Sequence, residues 1–521
     1  MPKTVKNMYR IHGRSLLNLK KSDLNPRLVS QLEAEGVNME EMLSFLDDLN
    51  AGKFDNIVSI KPESVPDLSH PAIFDRRGAC QFRMPLESAK SRFAELELTL
   101  DPANLGRREG GDIVFDEDSL KKIGVYLYPR AAYGVLNGGS ASSYADIKKN
   151  TALNPAVFAD KRGIFDVLAA ECKGRPKGIT PAYINPDGSP GYSFLFLKLR
   201  MILENKRLYT QITGKPAADV LPAFQMTSVL TDRAIQKAFR DYVVDPGLKG
   251  LADSLGCYSI EIFTETQRMM AAITHSGEGK PRRIFDRAMG KPNTGIAMPG
   301  GHGQNFKILA PIYRKLFERG IRYIWIGNID NMGYTVDPVG LAIFALSGKE
   351  AVFEESFRTP MDVKGGILVS DGSGRLTCAD IGPVVSTQEM LAFEADGKPV
   401  LFNCGIGLFD LKRLIDRLPS IPYELPLRIT DQDKDAGRYA QAEQITWEII
   451  GLLNDPMFFA VEKNRRFIAA KMLLETIMTS IPGTGGTEAD KVARDVHEGL
   501  VRLFGGEYGL VFKEGRWVLA D

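Results

Sequence analysis

Residues 297–336 read AMPGGHGQNFKILAPIYRKLFERGIRYIWIGNIDNMGYTV, and the class of fold follows from them. Gly300, Gly301, His302 and Gly303 form a tight polar turn. Phe306, Leu309, Ile312, Tyr313, Leu316 and Phe317 then recur at helical spacing, and Gly320 stands where a helix ends. Ile321 to Ile326 is apolar except for Arg322, which predicts a strand covered on both faces. That strand runs into Asn328-Ile329-Asp330-Asn331. In open α/β sheets ligands bind beyond the carboxyl ends of the strands, so the amides and carboxylate there mark a site. The glycine turn can present backbone N–H groups to a polar or anionic ligand.

Outward from this stretch, short apolar runs alternate with amphipathic helices from Val125 onward, as in βα units around a mostly parallel sheet. Tyr133 to Leu136 is the first expected strand, and Phe224 to Thr227, Ser259 to Phe263, Asp362 to Leu368 and Val400 to Phe402 continue the series. Tyr192 to Asn205 and Arg233 to Tyr242 are expected helices, the latter capped by Thr231 or Asp232. Before the domain, residues 1–120 read as a helical cap and linker broken by Pro62, Pro66 and Pro71. An α/β region is placed at 121–418 and a small α+β region at 419–521. The last part is expected to hold helices at Glu443–Leu453, Arg465–Met478 and Ala489–Leu503, then a terminal hairpin.

A chain of 521 residues with 44% hydrophobic and 25% charged residues can bury a large core and has an ordinary globular composition. A formal charge of +1 supplies no overall field for nucleic acid or an anionic membrane, so neither is an expected partner. The five cysteines are scattered without a CxxC pair, which fits reduced thiols in the cytoplasm. No segment approaches the roughly twenty apolar residues that span a bilayer.

Leu136-Asn137-Gly138-Gly139 follows a strand, and the two glycines let the backbone approach a base and phosphates closely. An ordinary βα turn has the same pattern, and neither GxGxxG nor a Walker A loop is present. Asp330 suits an Mg²⁺ ion shared with substrate phosphates, although a carboxylate capping a turn looks alike. His302 between glycines can orient a substrate or simply satisfy its backbone. Lys471 is on an expected helix after Arg465-Arg466-Phe467, and a charged row of this kind is usually a solvated face.

The order and spacing of these pieces resemble the eukaryotic-type UTP–glucose-1-phosphate uridylyltransferases and their relatives acting on N-acetylhexosamine 1-phosphates. The family's LNGGxGTxMG loop is matched by Leu136 to Gly139, its Met-x-Ser strand end by Met226-Thr227-Ser228 and its PPGHGD turn by Pro299 to Gln304. SNIDNLGATVD is similar to Gly327 through Asp337, and ADVKGG to Met361 through Gly366, including Lys364. FNTNNLWVNL is similar to the run from Phe402-Asn403 to Leu411, and RFLPVK to Arg466 through Lys471.

The resemblance implies a Rossmann-like nucleotide-diphospho-sugar transferase domain and a uridylyltransferase that joins UTP to a sugar 1-phosphate with Mg²⁺ as cofactor. Leu136, Asn137, Gly138 and Gly139 would hold uridine, and Gln267 would read uracil. Gly301 and His302 would shape the uridine and sugar side. Asn328, Lys364 and Asn403 would line the substrate, and Asp330 would place the metal. Lys471 would neutralise phosphate in the transition state, and a second lysine of that kind falls at Lys148 or Lys149, with Lys149 the chosen position. Glucose 1-phosphate is the expected sugar substrate, N-acetylglucosamine 1-phosphate the alternative. A non-catalytic nucleotide-sugar binder and a glycosyltransferase on the same fold are further readings. The chain departs from the family at Ser140 to Ala145, at Gln304 in place of an acid, and at Gly405-Ile406 in place of paired asparagines.

Overall fold

The computed structural model describes residues 10–11, 14–15, 18–55, 61–141, 144–257, 260–359, 362, 365–382, 384–434, 436–469, 471–483 and 488–520. A ten-stranded mixed sheet runs through its centre. Its spatial order is Ile73–Asp75, Pro456–Val461, Ala351–Phe357, Leu401–Asp410, Tyr323–Asn328, Ala131–Leu136, Ala223–Ser228 and Ile262–Gln267. A hairpin, Gly366–Ser370 with Leu376–Asp380, joins it off the Leu401–Asp410 strand. Five neighbouring pairs on the main path are parallel, and only the two pairs made by Leu401–Asp410 are antiparallel. The expected α/β class and mostly parallel sheet are therefore both present.

Alternation along the central strands divides the core between two faces. Tyr133, Val135 and Trp325 enter one buried cluster, while Ala132, Leu136, Ile324 and Ile326 enter another. Both faces carry helices, which is why these strands are continuously apolar. One cover is the 20-residue helix Phe194–Thr213, capped by Ser193 and ended by Gly214. On the other face lie Asn305–Ile308 and Ala310–Glu318. The single helix expected there is divided at Leu309, because Pro311 supplies no N–H and begins a new first turn.

Several expectations shift. The strand expected at Ile321–Ile326 lies at Tyr323–Asn328, and those expected at 362–368 and 400–402 lie at Gly366–Ser370 and Leu401–Asp410. The strand expected from Ser259, itself outside the described residues, begins only at Ile262. The helix expected at Glu443–Leu453 is instead the end of a strand, Gly437–Gln444, followed by a 3₁₀ stretch, Thr446–Leu452. The three-part division at 120 and 418 is crossed by the sheet itself, since Ile73–Asp75 and Pro456–Val461 both belong to it.

The helix expected at Arg465–Met478 is broken into Lys463–Arg466 and Leu473–Ser480. Tertiary hydrogen bonds outcompete helix propagation in between. Ile468 N–H donates to Asn331 Oδ1 at 3.0 Å, and Met332 N–H donates to Ile468 O at 2.8 Å. Lys471 thus stands on a linking segment, not on a helix.

Candidate functional site

The site forms where the parallel strands end. Leu136 sits opposite both Asn328 and Met226, so the glycine loop, the Asn328–Asn331 turn and the Met226–Ser228 strand end share one edge. Asn137 is fully buried: its N–H donates to Met226 O at 2.8 Å and its Nδ2 to Gln225 Oε1 at 3.0 Å. Ser228 Oγ donates to Gly138 O at 2.9 Å, which leaves Gly138 and Gly139 at the surface of a fixed loop.

Between Ala141 and Arg175 the chain makes three helices, Ile147–Leu153, Pro155–Asp160 and Arg162–Cys172. It then returns to the glycine loop, with Ala141 N–H bonding Arg175 O at 3.0 Å and Lys177 N–H bonding Gly139 O at 2.9 Å. Gly178 is packed so closely that a Cβ would lie 2.1 Å from Asn137 Oδ1. Lys177 is 7% exposed, with its Nζ 3.1 Å from the centre of the Tyr144 ring. Burial pulls its pKa down to about 8, with Asp330 opposing and Lys471 reinforcing the fall.

Lys149, chosen from the resemblance, is exposed on the first of those helices, where Asp146 accepts its backbone N–H at 2.8 Å. The lysine brought against the glycine loop, with Asp330, Glu475 and Lys471 among its charged neighbours, is Lys177. Sequence reasoning does not bring it to the glycine loop because three helices intervene. The available signal was the Arg175-Pro176-Lys177-Gly178 turn, a second tight turn carrying a cation.

Asn328 and Asp330 are half-buried at the end of the Tyr323–Asn328 strand. Asn331 is 1% exposed and fastens what surrounds them. Its Oδ1 accepts the N–H of Gly333 at 2.9 Å and of Ile468 at 3.0 Å. Its Nδ2 donates to Arg466 O at 2.9 Å and Cys404 O at 3.2 Å. Arg466 is itself held by a two-point ion pair with Glu354, at 2.5 and 2.7 Å. The exposed Lys471 follows this anchored segment and acts electrostatically on both Lys177 and His302.

Gly301 has φ +81°, and a Cβ there would lie 2.4 Å from Gln444 O, so only glycine fits the turn. His302 Nδ1 accepts the Thr446 N–H at 3.2 Å, which places any single ring proton on Nε2. Burial, assisted by Lys471, pulls its pKa down to about 4, so the ring is neutral at physiological pH. Gln267 donates from Nε2 to Gly301 O at 2.8 Å and to Gln304 Oε1 at 2.9 Å, tying the turn to the end of the Ile262–Gln267 strand. Asn403 is buried, donating to Glu355 Oε1 and accepting from Gly405 N–H, each at 2.8 Å. It thereby shapes the strand behind Asn328. Lys364 lies outside the described residues.

Among the described residues no group of three or more histidines, cysteines or acids is arranged to hold a metal. A single half-buried carboxylate, Asp330, faced by lysines suits a hard cation that takes most of its oxygens from phosphate and water. Chemically the edge offers close backbone approach, two cations of which one is desolvated, and a neutral imidazole. Such a set can bind and neutralise a polyphosphate.

The sequence profile of the UTP–glucose-1-phosphate uridylyltransferase family matches residues 210–479. A relative from Encephalitozoon cuniculi named UTP–glucose-1-phosphate uridylyltransferase is 30% identical over 131 residues, 25% of this chain and 26% of its own. One from Schizosaccharomyces pombe, named "Probable UTP--glucose-1-phosphate uridylyltransferase", is 29% identical over 256 residues, 47% of this chain and 43% of its own. The chain therefore matches between about a quarter and under half the length of these relatives. Among solved structures, the uridine diphosphate N-acetylglucosamine pyrophosphorylase of Trypanosoma brucei superposes with a TM-score of 0.58 at 15% identity, covering 94% of this chain and 81% of that one. A point mutant of the UDP-glucose pyrophosphorylase of Leishmania major, in complex with UDP-glucose, gives 0.52 at 16% identity, covering 96% and 83%. At such identities the likeness is one of fold.

Proposed function

This chain belongs to the UTP–glucose-1-phosphate uridylyltransferase family, and from that premise we propose that it makes UDP-sugar and pyrophosphate from UTP and a sugar 1-phosphate. Glucose 1-phosphate is the first candidate for the sugar. The observation that carries this reading is the assembly of Lys177, Asp330, Lys471 and His302 at one end of the sheet, beside the glycine loop.

In this reaction a phosphate oxygen of the sugar phosphate attacks the α-phosphorus of UTP. A P–O bond forms, the bond to the β-phosphate breaks, and pyrophosphate leaves. The nucleophile is already an anion, so no Ser, Cys or His base is required. Catalysis consists of bringing two anions together and neutralising the charge that builds up. Gly138 and Gly139 admit the nucleotide against the backbone. Lys177 and Lys471 approach the phosphates from the glycine loop and from the Asn331-anchored segment. We assign to Lys177 the role that the family resemblance had placed on Lys149. Neutral His302 offers its Nε2–H as a donor without adding charge. Asp330 would hold Mg²⁺, which supplies Lewis-acid neutralisation of the phosphate oxygens.

We further place the protein in the cytoplasm. All five cysteines are unpaired and buried, and no helix among the described residues is long and apolar enough to cross a membrane.

Pyrophosphate release with Mg²⁺, UTP and a panel of sugar 1-phosphates tests the reading, glucose and N-acetylglucosamine foremost. Release with one sugar, abolished by a chelator, is the expected result. UTP binding with no release from any sugar would overturn the enzyme reading in favour of a nucleotide-sugar binder.

A further inference from the structure

The loop that carries Asp330 is held from beneath by two residues that lie outside the family-matched segment 210–479. Lys198, on the Phe194–Thr213 helix, is 1% exposed and points its ammonium into the loop. It donates to Asn331 O at 2.7 Å, Tyr334 O at 2.5 Å and Tyr508 Oη at 3.3 Å. Tyr508, fully buried just past the Glu488–Gly506 helix, donates its hydroxyl to Met332 O at 2.6 Å. Carbonyls only accept, and the Tyr508 hydrogen already goes to Met332. The three acceptors around Lys198 therefore use all three N–H groups of an ammonium.

A buried ammonium is costly to desolvate, and an apolar side chain would suit the core face of this helix better if packing were its only task. What the lysine and the tyrosine obtain together is a donor for each of three inward-facing carbonyls of the turn, those of Asn331, Met332 and Tyr334. Asn331 O also accepts the Tyr334 N–H at 3.1 Å and Tyr334 O the Tyr133 hydroxyl at 2.7 Å, whereas Met332 O takes its hydrogen bond from Tyr508; removing either buried donor therefore loosens the turn, and the adjoining Asp330 with it. We propose that Lys198 and Tyr508 are positioning residues for the Asp330 carboxylate. Segments on either side of the family-matched region thus complete the phosphate-binding end of the site. The proposal rests on the assignment of Asp330 to metal and phosphate binding made above.

Tyr508→Phe removes one hydroxyl and keeps the buried ring. Lys198→Met removes the ammonium with little change in length. Each full-length variant is titrated with Mn²⁺ in the presence of UTP, with free Mn²⁺ read by electron paramagnetic resonance. UTP binding without metal is measured alongside. The expected result for Tyr508→Phe is a metal midpoint weaker by roughly three- to tenfold, as for one lost hydrogen bond. Metal-free UTP binding should stay within about twofold, and the loss should be larger in Lys198→Met. An unchanged metal midpoint in Tyr508→Phe, whatever happens to its thermal transition, would make these contacts structural only and overturn the proposal. If the wild-type protein binds no Mn²⁺ with UTP, the assignment of Asp330 fails first and the proposal falls with it. The two failures are thereby told apart.

Discussion

Asn331 and Ile468, 137 residues apart, are joined by a hydrogen bond of 3.0 Å from the Ile468 N–H to the Asn331 side-chain oxygen. This bond, the one from Asn331 Nδ2 to Arg466 O and the one from Met332 N–H to Ile468 O set the distance between the Asp330 turn and the segment that delivers Lys471. One amide thus registers the two charged groups of opposite sign on which the proposed chemistry depends.

Replacing Asn331 by Ala should destabilise the fold by about 2–4 kcal/mol, because it strands two buried N–H donors and two carbonyls. Urea unfolding measures that loss. Kinetics should show kcat falling by more than KM rises, since ground-state contacts to UTP lie elsewhere. An unchanged kcat would mean that the 466–471 segment is positioned by other contacts.

Lys177 should matter more than Lys149. We expect Lys177→Met to lower kcat/KM by roughly 10²–10⁴-fold, while Lys149→Ala stays within about threefold. Equal effects of the two changes would restore Lys149 as the phosphate-neutralising lysine.

The same lysine predicts an alkaline limb. Its pKa of about 8 lies below the usual lysine value, so the free protein loses this charge as pH rises through 8. The kcat/KM for UTP should fall there, and Lys177→Met should abolish that fall in its residual activity. Stability moves the other way. The unfolded chain binds this proton more tightly, so between pH 8 and about 10.5 rising pH relieves the burial penalty.

His302, with its pKa near 4, binds its proton less tightly than in the unfolded chain. Stability should therefore decline as pH falls from about 6.5 toward 4, since each tenfold weakening of proton binding is worth about 1.4 kcal/mol. Unfolding midpoints of wild type and His302→Asn across that range give the check. The variant should show a shallower decline, and parallel curves would remove His302 as the cause.

Lys471→Ala should reduce kcat by several orders of magnitude with UTP affinity falling much less, and Asp330→Asn should weaken the response to added Mg²⁺. A Lys471 variant that lost only affinity would favour a binding protein over a catalyst.

Periodicity alone is enough to recognise the strand running into Asn328, the strand ending in Leu136, the glycine turn at 300–303 and the greater part of the long helix, expected at Tyr192–Asn205 and found at Phe194–Thr213. These features depend on neighbours in sequence: apolar runs buried on both faces, a left-handed glycine, a serine cap. The motifs at Asn328 to Asp330 and at Arg466 to Lys471 are legible for the same reason, being contiguous. What lies beyond such reasoning is non-local. The break of the expected 465–478 helix arises because Asn331 and Met332 bind Ile468 more favourably than a helical turn would. Lys177 comes to the glycine loop only when three helices close a long excursion and Gly178 packs against Asn137. Its lowered pKa comes from burial among groups far away in sequence. Lys198 and Tyr508 are invisible as site residues in the sequence because each reads as one side chain on an amphipathic or terminal segment. Local propensity determined which segments could be strands, helices and turns. Desolvation and long-range hydrogen bonding, which exist only once the chain has closed, decided which lysines and which amide come together at the strand ends.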